Sequence, residues 1–166
     1  DQAEACQWVE NWTWRYDTTF VVPADFDCRW AVLDFGGLDT YAAIRLNWQM
    51  IGETENMLVP HRFEVGEWLR SGENRLEVCF TPFSEHIRGK RLDYPAAFDT
   101  PERVHVRRMQ CTFRWDWVNR FVSVGIWRPV TLYAYEGARI SDLFVYTQAI
   151  DAGSAGLRIS LESERR

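Results

Sequence analysis

Hydrophobic and polar residues alternate with a period of two along much of the chain, which is the repeat of a β-strand with one buried face. Four runs rich in β-branched and aromatic residues predict strands over 29–35, 40–46, 75–80 and 128–135. No segment carries the 3.6-residue period of a long amphipathic helix. Short strands with frequent turns predict an all-β fold, an antiparallel sandwich or barrel in which the four runs share one core.

Turn-forming residues separate these runs. The Gly-Gly pair at 36–37 predicts a tight connection between the first two strands, and Gly-Glu-Asn at 72–74 predicts a turn before the third. Residues 66–72 can form one helical turn at most, and 82–101 has the composition of a loop.

A second unit is predicted to begin near residue 137. Residues 139–146 are strand-like, and apolar residues alternate with polar ones over 157–162, after a predicted loop at 151–154. Two strands cannot form a stable domain alone, so they must pack on the first unit or belong to a longer chain. We expect residues 1–136 to form one domain and 137–166 to begin another.

Composition narrows the function classes. The 166 residues suit about one domain, and 19 Lys+Arg against 24 Asp+Glu give a net charge of −5, which lacks the basic surface of a nucleic-acid binder. No apolar run approaches the roughly 20 residues of a membrane span. The four cysteines are too scattered for a zinc site, so neither metal nor cofactor is predicted. Nothing in the sequence indicates a compartment.

Aromatic residues make up 15% of the chain and include nine Trp, which suit both sheet packing and stacking on sugar rings. One site stands out, because Asp116 lies between Trp115 and Trp117. A carboxylate can accept hydrogen bonds from vicinal hydroxyls while indoles cover the apolar face of a sugar ring. The alternative is structural, with Asp116 paired with Arg114 or Arg120 beside two packing Trp.

No catalytic residue is predicted within the chain. Carboxylate catalysis of glycoside hydrolysis needs two facing acids, and no spacing among the 24 acidic residues selects a pair. None of the three histidines lies in a nucleophile motif, and the chain has neither a G-x-S-x-G motif nor a phosphate-binding glycine loop. We therefore expect no catalytic activity from the residues of this chain by themselves.

Several segments together resemble the N-terminal sugar-binding domain of glycoside hydrolase family 2, and within it the β-mannosidases most. The matching segments are WVENWTWRYDTTF (8–20), LDFGGLDTYAAIRLN (33–47), IGETENMLVPHRFEV (51–65), GENRLEVCF (72–80), RRMQCTFRWDW (107–117) and RFVSVGIWRPVTLYAYEGARISD (120–142). The Trp-Asp-Trp stretch is the sign most specific to the mannosidase branch. Two positions differ from the usual family pattern: Arg114 replaces a glycine, and Val-Asn at 118–119 replaces Gly-Pro.

The resemblance implies a galactose-binding-like jelly roll whose first strand is missing, followed by the first strands of an immunoglobulin-like domain from Arg139. It also implies a parent enzyme that hydrolyses terminal β-mannosides with retention, and whose two catalytic Glu lie on a separate (β/α)₈ barrel. By the same resemblance, Trp115, Asp116 and Trp117 bind substrate by reaching into the barrel pocket. The implied partners are a β-mannoside or oligosaccharide and the parent's barrel and immunoglobulin-like domains.

Two other functions remain open at this stage. The first is a self-standing carbohydrate-binding module, which needs a complete aromatic platform and sugar affinity within this chain. The second is a purely structural domain of another family 2 glycosidase, in which Trp115 and Trp117 anchor an interface. A β-galactosidase or β-glucuronidase parent is less consistent with the Trp-Asp-Trp stretch.

Overall fold

The computed structural model describes residues 2–92 and 101–165, which divide into two compact units, Asp1–Tyr133 and Ala134–Arg166. Eleven strands are found in the described residues. They are β1 (Trp14–Val22), β2 (Ala31–Phe35), β3 (Leu38–Asp39), β4 (Ala42–Leu46), β5 (Gln49–Thr54), β6 (His61–Glu64), β7 (Gly72–Phe80), β8 (Gly125–Ile126), β9 (Val130–Ala134), β10 (Ala138–Asp151) and β11 (Ser154–Arg165).

Helical structure is limited to short turns. The α-helical segments are α1 (Gln2–Ala5) and α2 (Phe83–His86), and the 3₁₀ turns are Gln7–Asn11, Cys28–Trp30, Pro101–His105 and Gln110–Phe113. Among the residues described, no helix is long and apolar enough to span a membrane.

Two sheets form the first unit. The larger has the order β1-β7-β4-β5 with every neighbouring pair antiparallel, and the second has the order β6-β2-β9. β3 and β8 form an additional two-stranded pair. Because buried residues of both sheets belong to one hydrophobic cluster, the two sheets form a sandwich. The predicted all-β jelly-roll fold is therefore confirmed.

One hydrophobic core lies between the two sheets, and the two-residue alternation along each strand determines which side chains enter it. In β7, Leu76, Val78 and Phe80 point inward, while the residues between them are half-buried. Ile44 of β4 and Phe35 of β2 are fully buried in the same cluster. Val130 and Leu132 of β9 pack against it, which confirms that all four predicted runs share one core.

The strand boundaries differ from those predicted: β4 and β9 begin two residues late, at Ala42 and Val130, and two further differences have an identifiable cause. The first strand starts at Ala31, because Cys28–Trp30 forms a 3₁₀ turn whose Asp27 side chain accepts a hydrogen bond from the Arg29 amide. The turn predicted at 72–74 is the start of β7, because β1 continues its antiparallel pairing as far as Gly72. The connection at 36–37 is confirmed, and a Cβ on Gly37 would lie 2.4 Å from Nε1 of Trp127.

Five strands in the described part of the first unit were not predicted, namely β1, β3, β5, β6 and β8, of which β3 and β8 have two residues each. β1 alternates Trp14, Tyr16, Thr18 and Phe20, a period-two signal that does appear in the sequence. β5 and β6 lack this signal. Their side chains are mostly exposed or half-buried, so neither strand has a continuous buried face that alternation in the sequence could reveal.

The segment predicted as a loop over 82–101 is only partly irregular. It contains α2, which ends at His86, and a 3₁₀ turn that begins at Pro101. Residues 93–100 of this prediction lie outside the described residues.

The second unit is a hairpin of β10 and β11, longer than the predicted strands. The chain turns at 152–153, within the loop predicted at 151–154. Cross-strand register pairs Leu143 with Leu161 and Val145 with Ile159, so these apolar residues share one face and are exposed.

Candidate functional site

The predicted sugar-contact residues form a two-residue hairpin turn. The Trp115 amide donates to the Val118 carbonyl at 3.1 Å, and the Val118 amide donates back to the Trp115 carbonyl at 3.3 Å. Residues 115–118, here called the tip, therefore place Asp116 and Trp117 at the end of the turn. Because the segment is a turn, the two indoles do not lie on one face of a strand.

Both indoles of the tip are open to solvent, with Trp115 42% and Trp117 76% exposed. Their rings contact each other, with centroids 5.8 Å apart and planes tilted by 60°. Asp116 is also exposed. Arg120, one of the two arginines that the structural alternative pairs with Asp116, forms a bidentate pair with Glu10. The tip thus presents a carboxylate beside two accessible aromatic surfaces.

Arg114 enters the tip with an unusual backbone conformation. Its φ of 96° and ψ of 144° lie in a region that glycine occupies readily and other residues avoid. This is the position at which the family pattern has glycine. The loop therefore keeps a glycine-type path although an arginine occupies the position.

A small hydrophobic cluster lies beneath the tip. Phe113 is fully buried and meets Phe83 edge-on, with ring centroids 5.2 Å apart. Tyr41, Val106 and Val122 complete the cluster. The segment that carries the tip, residues 107–123, is called the tip loop, and its two limbs meet where the Phe121 amide donates to the Thr112 carbonyl at 2.8 Å.

A buried ion pair joins the tip loop to β3. Nη2 of Arg108 donates to Oδ2 of Asp39 at 2.9 Å and to the Ser123 carbonyl at 3.0 Å. The Ser123 hydroxyl donates to the same carboxylate oxygen at 3.0 Å. The side chains of Arg108 and Asp39 are 2% and 4% exposed. Burial lowers the pKa of the Arg108 guanidinium, and the Asp39 carboxylate opposes that effect.

Sequence analysis did not identify Asp39, Glu10 or Ser123 as residues of this region. Arg108 was noted only as a member of the stretch that ends in the Trp-Asp-Trp residues. The ion pairs join positions 69 and 110 residues apart, and no local pattern encodes such separations. The described residues contain no group of three or more His, Cys, Asp or Glu that could hold a metal ion.

Comparison with known proteins identifies the first unit. Residues 1–128 match the family described as glycosyl hydrolase 2 galactose-binding domain-like. Beta-mannosidase B of Thermothelomyces thermophilus is 36% identical over 169 residues, a match that covers 96% of this chain and 19% of that protein. Beta-mannosidase B of Aspergillus clavatus is 35% identical over 150 residues, covering 86% of this chain and 17% of its own length.

Solved structures agree with this assignment. The crystal structure of a β-D-mannosidase from Dictyoglomus thermophilum is 34% identical and superposes with a TM-score of 0.86, over 98% of this chain and 20% of that chain. A Bifidobacterium dentium β-glucuronidase, 22% identical with a TM-score of 0.66 over 92% of this chain and 27% of that one, shares the fold. The chain spans about a fifth of the length of the mannosidases it matches. It belongs to glycoside hydrolase family 2, whose galactose-binding-like domain it contains, and its sequence is most like the β-mannosidases.

Proposed function

We propose that this chain forms a non-catalytic, sugar-contacting domain of an enzyme that hydrolyses terminal β-mannosides, with Trp115, Asp116 and Trp117 touching the mannose ring. The observation that carries this proposal is the tip itself, where an exposed carboxylate lies between two exposed indoles that contact each other. The printed names of the relatives supply the substrate class, because they are β-mannosidases.

The chemistry of the tip suits a hydroxyl-rich ligand. An ionised carboxylate only accepts hydrogen bonds, and the vicinal hydroxyls of a sugar offer two donors at matching spacing. Indole surfaces cover the C–H face of a sugar ring and exclude water from the hydrogen bonds beside it. The Trp117 side chain is 76% exposed at the end of the turn and contacts the exposed Trp115 ring, so the two indoles form a paired aromatic surface.

We assign the hydrolytic step to the remainder of a longer protein. A retaining mechanism needs two carboxyl groups roughly 5–5.5 Å apart, one as nucleophile and one as acid/base. The resemblance to family 2 assigns both to a (β/α)₈ barrel, which this chain does not include. This chain would therefore bind and orient the substrate, and would release no aglycone by itself.

We also propose that the second unit is the first hairpin of an immunoglobulin-like domain. Its face bearing Leu143, Val145, Leu157, Ile159 and Leu161 is apolar and exposed, as expected of a sheet whose opposing sheet lies in further chain. The short coverage of the relatives is consistent with such further chain.

The test is Asp116→Ala in the complete protein that contains this chain, assayed with an aryl β-mannoside. We expect kcat/KM to fall roughly ten- to a hundredfold, because a lost charge-assisted hydrogen bond is worth about 1.5–3 kcal/mol. The melting temperature should not change, since the Asp116 side chain is exposed. Asp25→Ala is the matched control, because Asp25 is an exposed turn residue distant in sequence from the tip.

Normal kcat/KM in Asp116→Ala would end the proposal that this residue contacts sugar. A lowered melting temperature with unchanged turnover would favour a structural domain instead. Mannoside affinity of this chain alone, lost in Trp117→Ala, would favour the self-standing binding module.

A further inference from the structure

Two ion pairs lie between the β-sandwich and the tip, one on each limb of the tip loop. Arg108 lies seven residues before Trp115 and pairs with Asp39. Arg120 lies two residues after Val118 and pairs with Glu10. The two acidic partners belong to elements distant in sequence, β3 and the 3₁₀ turn Gln7–Asn11. Both limbs of the loop are therefore tied to separate, already folded parts of the first unit.

The Arg108 pair fixes the base of the tip loop. Nη2 of Arg108 bonds the Asp39 carboxylate at 2.9 Å and the Ser123 carbonyl at 3.0 Å, so one nitrogen joins the entering limb, the leaving limb and β3. The Ser123 hydroxyl also donates to Asp39. With three bonds converging on two buried groups, the separation and rotation of the limbs have little freedom.

The Arg120 pair fixes the leaving limb just beyond the tip. Its guanidinium donates from Nε and Nη2 to both carboxylate oxygens of Glu10, at 2.8–3.1 Å, in a bidentate geometry that sets the plane of the group. The same guanidinium carbon lies 5.3 Å from the ring centroid of Phe113, and that of Arg108 lies 5.5 Å from it. The two pairs therefore converge on the residue that precedes Arg114.

Stability alone does not account for these charges. Desolvation of a buried ion pair consumes most of its Coulomb energy, and apolar residues of similar volume commonly serve as well. Arg108 also leaves its buried Nε without a hydrogen-bond partner among the described residues. An ion pair with fixed donor directions holds its segment in a single orientation, which an apolar contact does not do.

We propose that Asp39 and Glu10 are positioning residues of the sugar site, which hold Trp115, Asp116 and Trp117 in their binding geometry through Arg108 and Arg120. Neither carboxylate touches the substrate in this assignment. Asp39 and Glu10 affect turnover only through the position of the tip, so substituting them should matter less once the tip has lost its Asp116 contact with the sugar. This inference rests on the proposed function and extends it to the residues beneath the site.

The decisive experiment is a double-mutant cycle in the complete protein, combining Asp39→Asn or Glu10→Gln with Asp116→Ala. Each positioning variant alone should lower kcat/KM for an aryl β-mannoside by about tenfold or more. In the Asp116→Ala background the same change should have a clearly smaller effect, because only the two indole contacts remain to be displaced and effects that act through a shared site are not additive. Full additivity of the two losses would overturn the proposal.

Glu77→Gln is the matched control, because Glu77 also pairs with two arginines, Arg15 and Arg45, but on the larger sheet. It should leave kcat/KM unchanged. A loss equal to that of Glu10→Gln would mean that any broken ion pair slows the enzyme, and would also overturn the proposal.

Amide hydrogen exchange separates this inference from the proposed function. The amides of Trp115 and Val118 are protected by their mutual hydrogen bonds, and we expect roughly tenfold faster exchange there in Asp39→Asn and Glu10→Gln, with β4 and β7 unchanged. If Asp116→Ala leaves turnover normal, the sugar contact is refuted while exchange still decides positioning. If Asp39→Asn fails to fold, two milder variants replace it. Ser123→Ala removes one hydrogen bond to Asp39, and Glu10→Gln breaks the less buried ion pair. Unchanged exchange in both would overturn the inference.

Discussion

The β-sandwich core and the cluster beneath the tip are both well packed, yet they are built on different principles. The sandwich core consists of buried hydrophobic residues from strands of both sheets. Among the described residues, the cluster beneath the tip has five buried members including Phe113, and two arginine–carboxylate pairs adjoin it. The sandwich core stabilises the fold whatever the function of the protein, whereas the ion pairs beneath the tip give one exposed loop a defined direction.

The difference extends to how each region is encoded. In the sandwich, alternation along each strand decides which residues face inward, and register carries that pattern from strand to strand. Beneath the tip, Glu10 meets Arg120 and Asp39 meets Arg108 only after the chain has folded. A packing core tolerates exchange among apolar residues, but a directional pair requires its own partner.

The largest predicted effect uses two phenylalanines that are both fully buried, Phe35 in the sandwich and Phe113 beneath the tip. We expect Phe35→Ala to lower the free energy of unfolding by about 3–5 kcal/mol, because it removes a large side chain from the main core. Phe113→Ala should cost less in global unfolding, because a loop can open locally while the sandwich remains folded.

Denaturant unfolding measures the global cost, and hydrogen exchange at Trp115 and Val118 measures the local one. When conditions are adjusted so that both variants have the same free energy of unfolding, amide exchange at Trp115 and Val118 should be much faster in Phe113→Ala than in Phe35→Ala. Equal acceleration in the two variants would show that tip and sandwich unfold as a single unit, and the comparison between the regions would lose its basis.

Sequence reasoning predicted the sandwich because its physics is local. Alternation located four strands. Errors arose where tertiary pairing overrides turn propensity, as at Gly72, which pairs with Val22 of β1 and therefore belongs to β7. The tip was located from residue types, but its form as a turn was not, because that depends on the positive φ of Arg114. Asp39 and Glu10 had no local signal.

The second predicted effect is an increase in stability at the entrance to the tip. Arg114 holds a φ of 96°, a conformation that costs about 1–3 kcal/mol for a residue with a Cβ. Glycine adopts it freely but adds roughly 0.5–1 kcal/mol of chain entropy to the unfolded state. We therefore expect Arg114→Gly to raise the free energy of unfolding by about 1 kcal/mol.

Arg114→Ala is the control, because alanine keeps the Cβ and removes only the guanidinium. It should leave the free energy of unfolding close to that of the parent chain, as measured by urea denaturation. If Arg114→Ala stabilises the protein as much as Arg114→Gly does, removal of the guanidinium charge, and not relief of backbone strain, accounts for the gain.

The smallest predicted effect concerns an ion pair on the sandwich surface, where orientation has no functional role. Asp17 of β1 accepts hydrogen bonds from Arg75 of β7, and these bonds hold the pKa of the Asp17 carboxyl below its ordinary value of 3.8. A carboxyl with a lowered folded-state pKa stabilises the fold above its unfolded pKa. That contribution is lost as the pH falls below 3.8 through the folded-state pKa.

Asp17→Asn should therefore lower stability slightly at neutral pH, because exposed ion pairs contribute little and are screened by salt. The difference in melting temperature between Asp17→Asn and the parent chain should be constant from neutral pH to about pH 5 and should close as the pH falls below 3.8. It should also shrink at high salt, whereas the effect of Asp39→Asn should not, because Asp39 is screened from solvent. Equal salt sensitivity of the two variants would mean that the buried pair behaves like a surface pair, which would remove the physical distinction between the two regions.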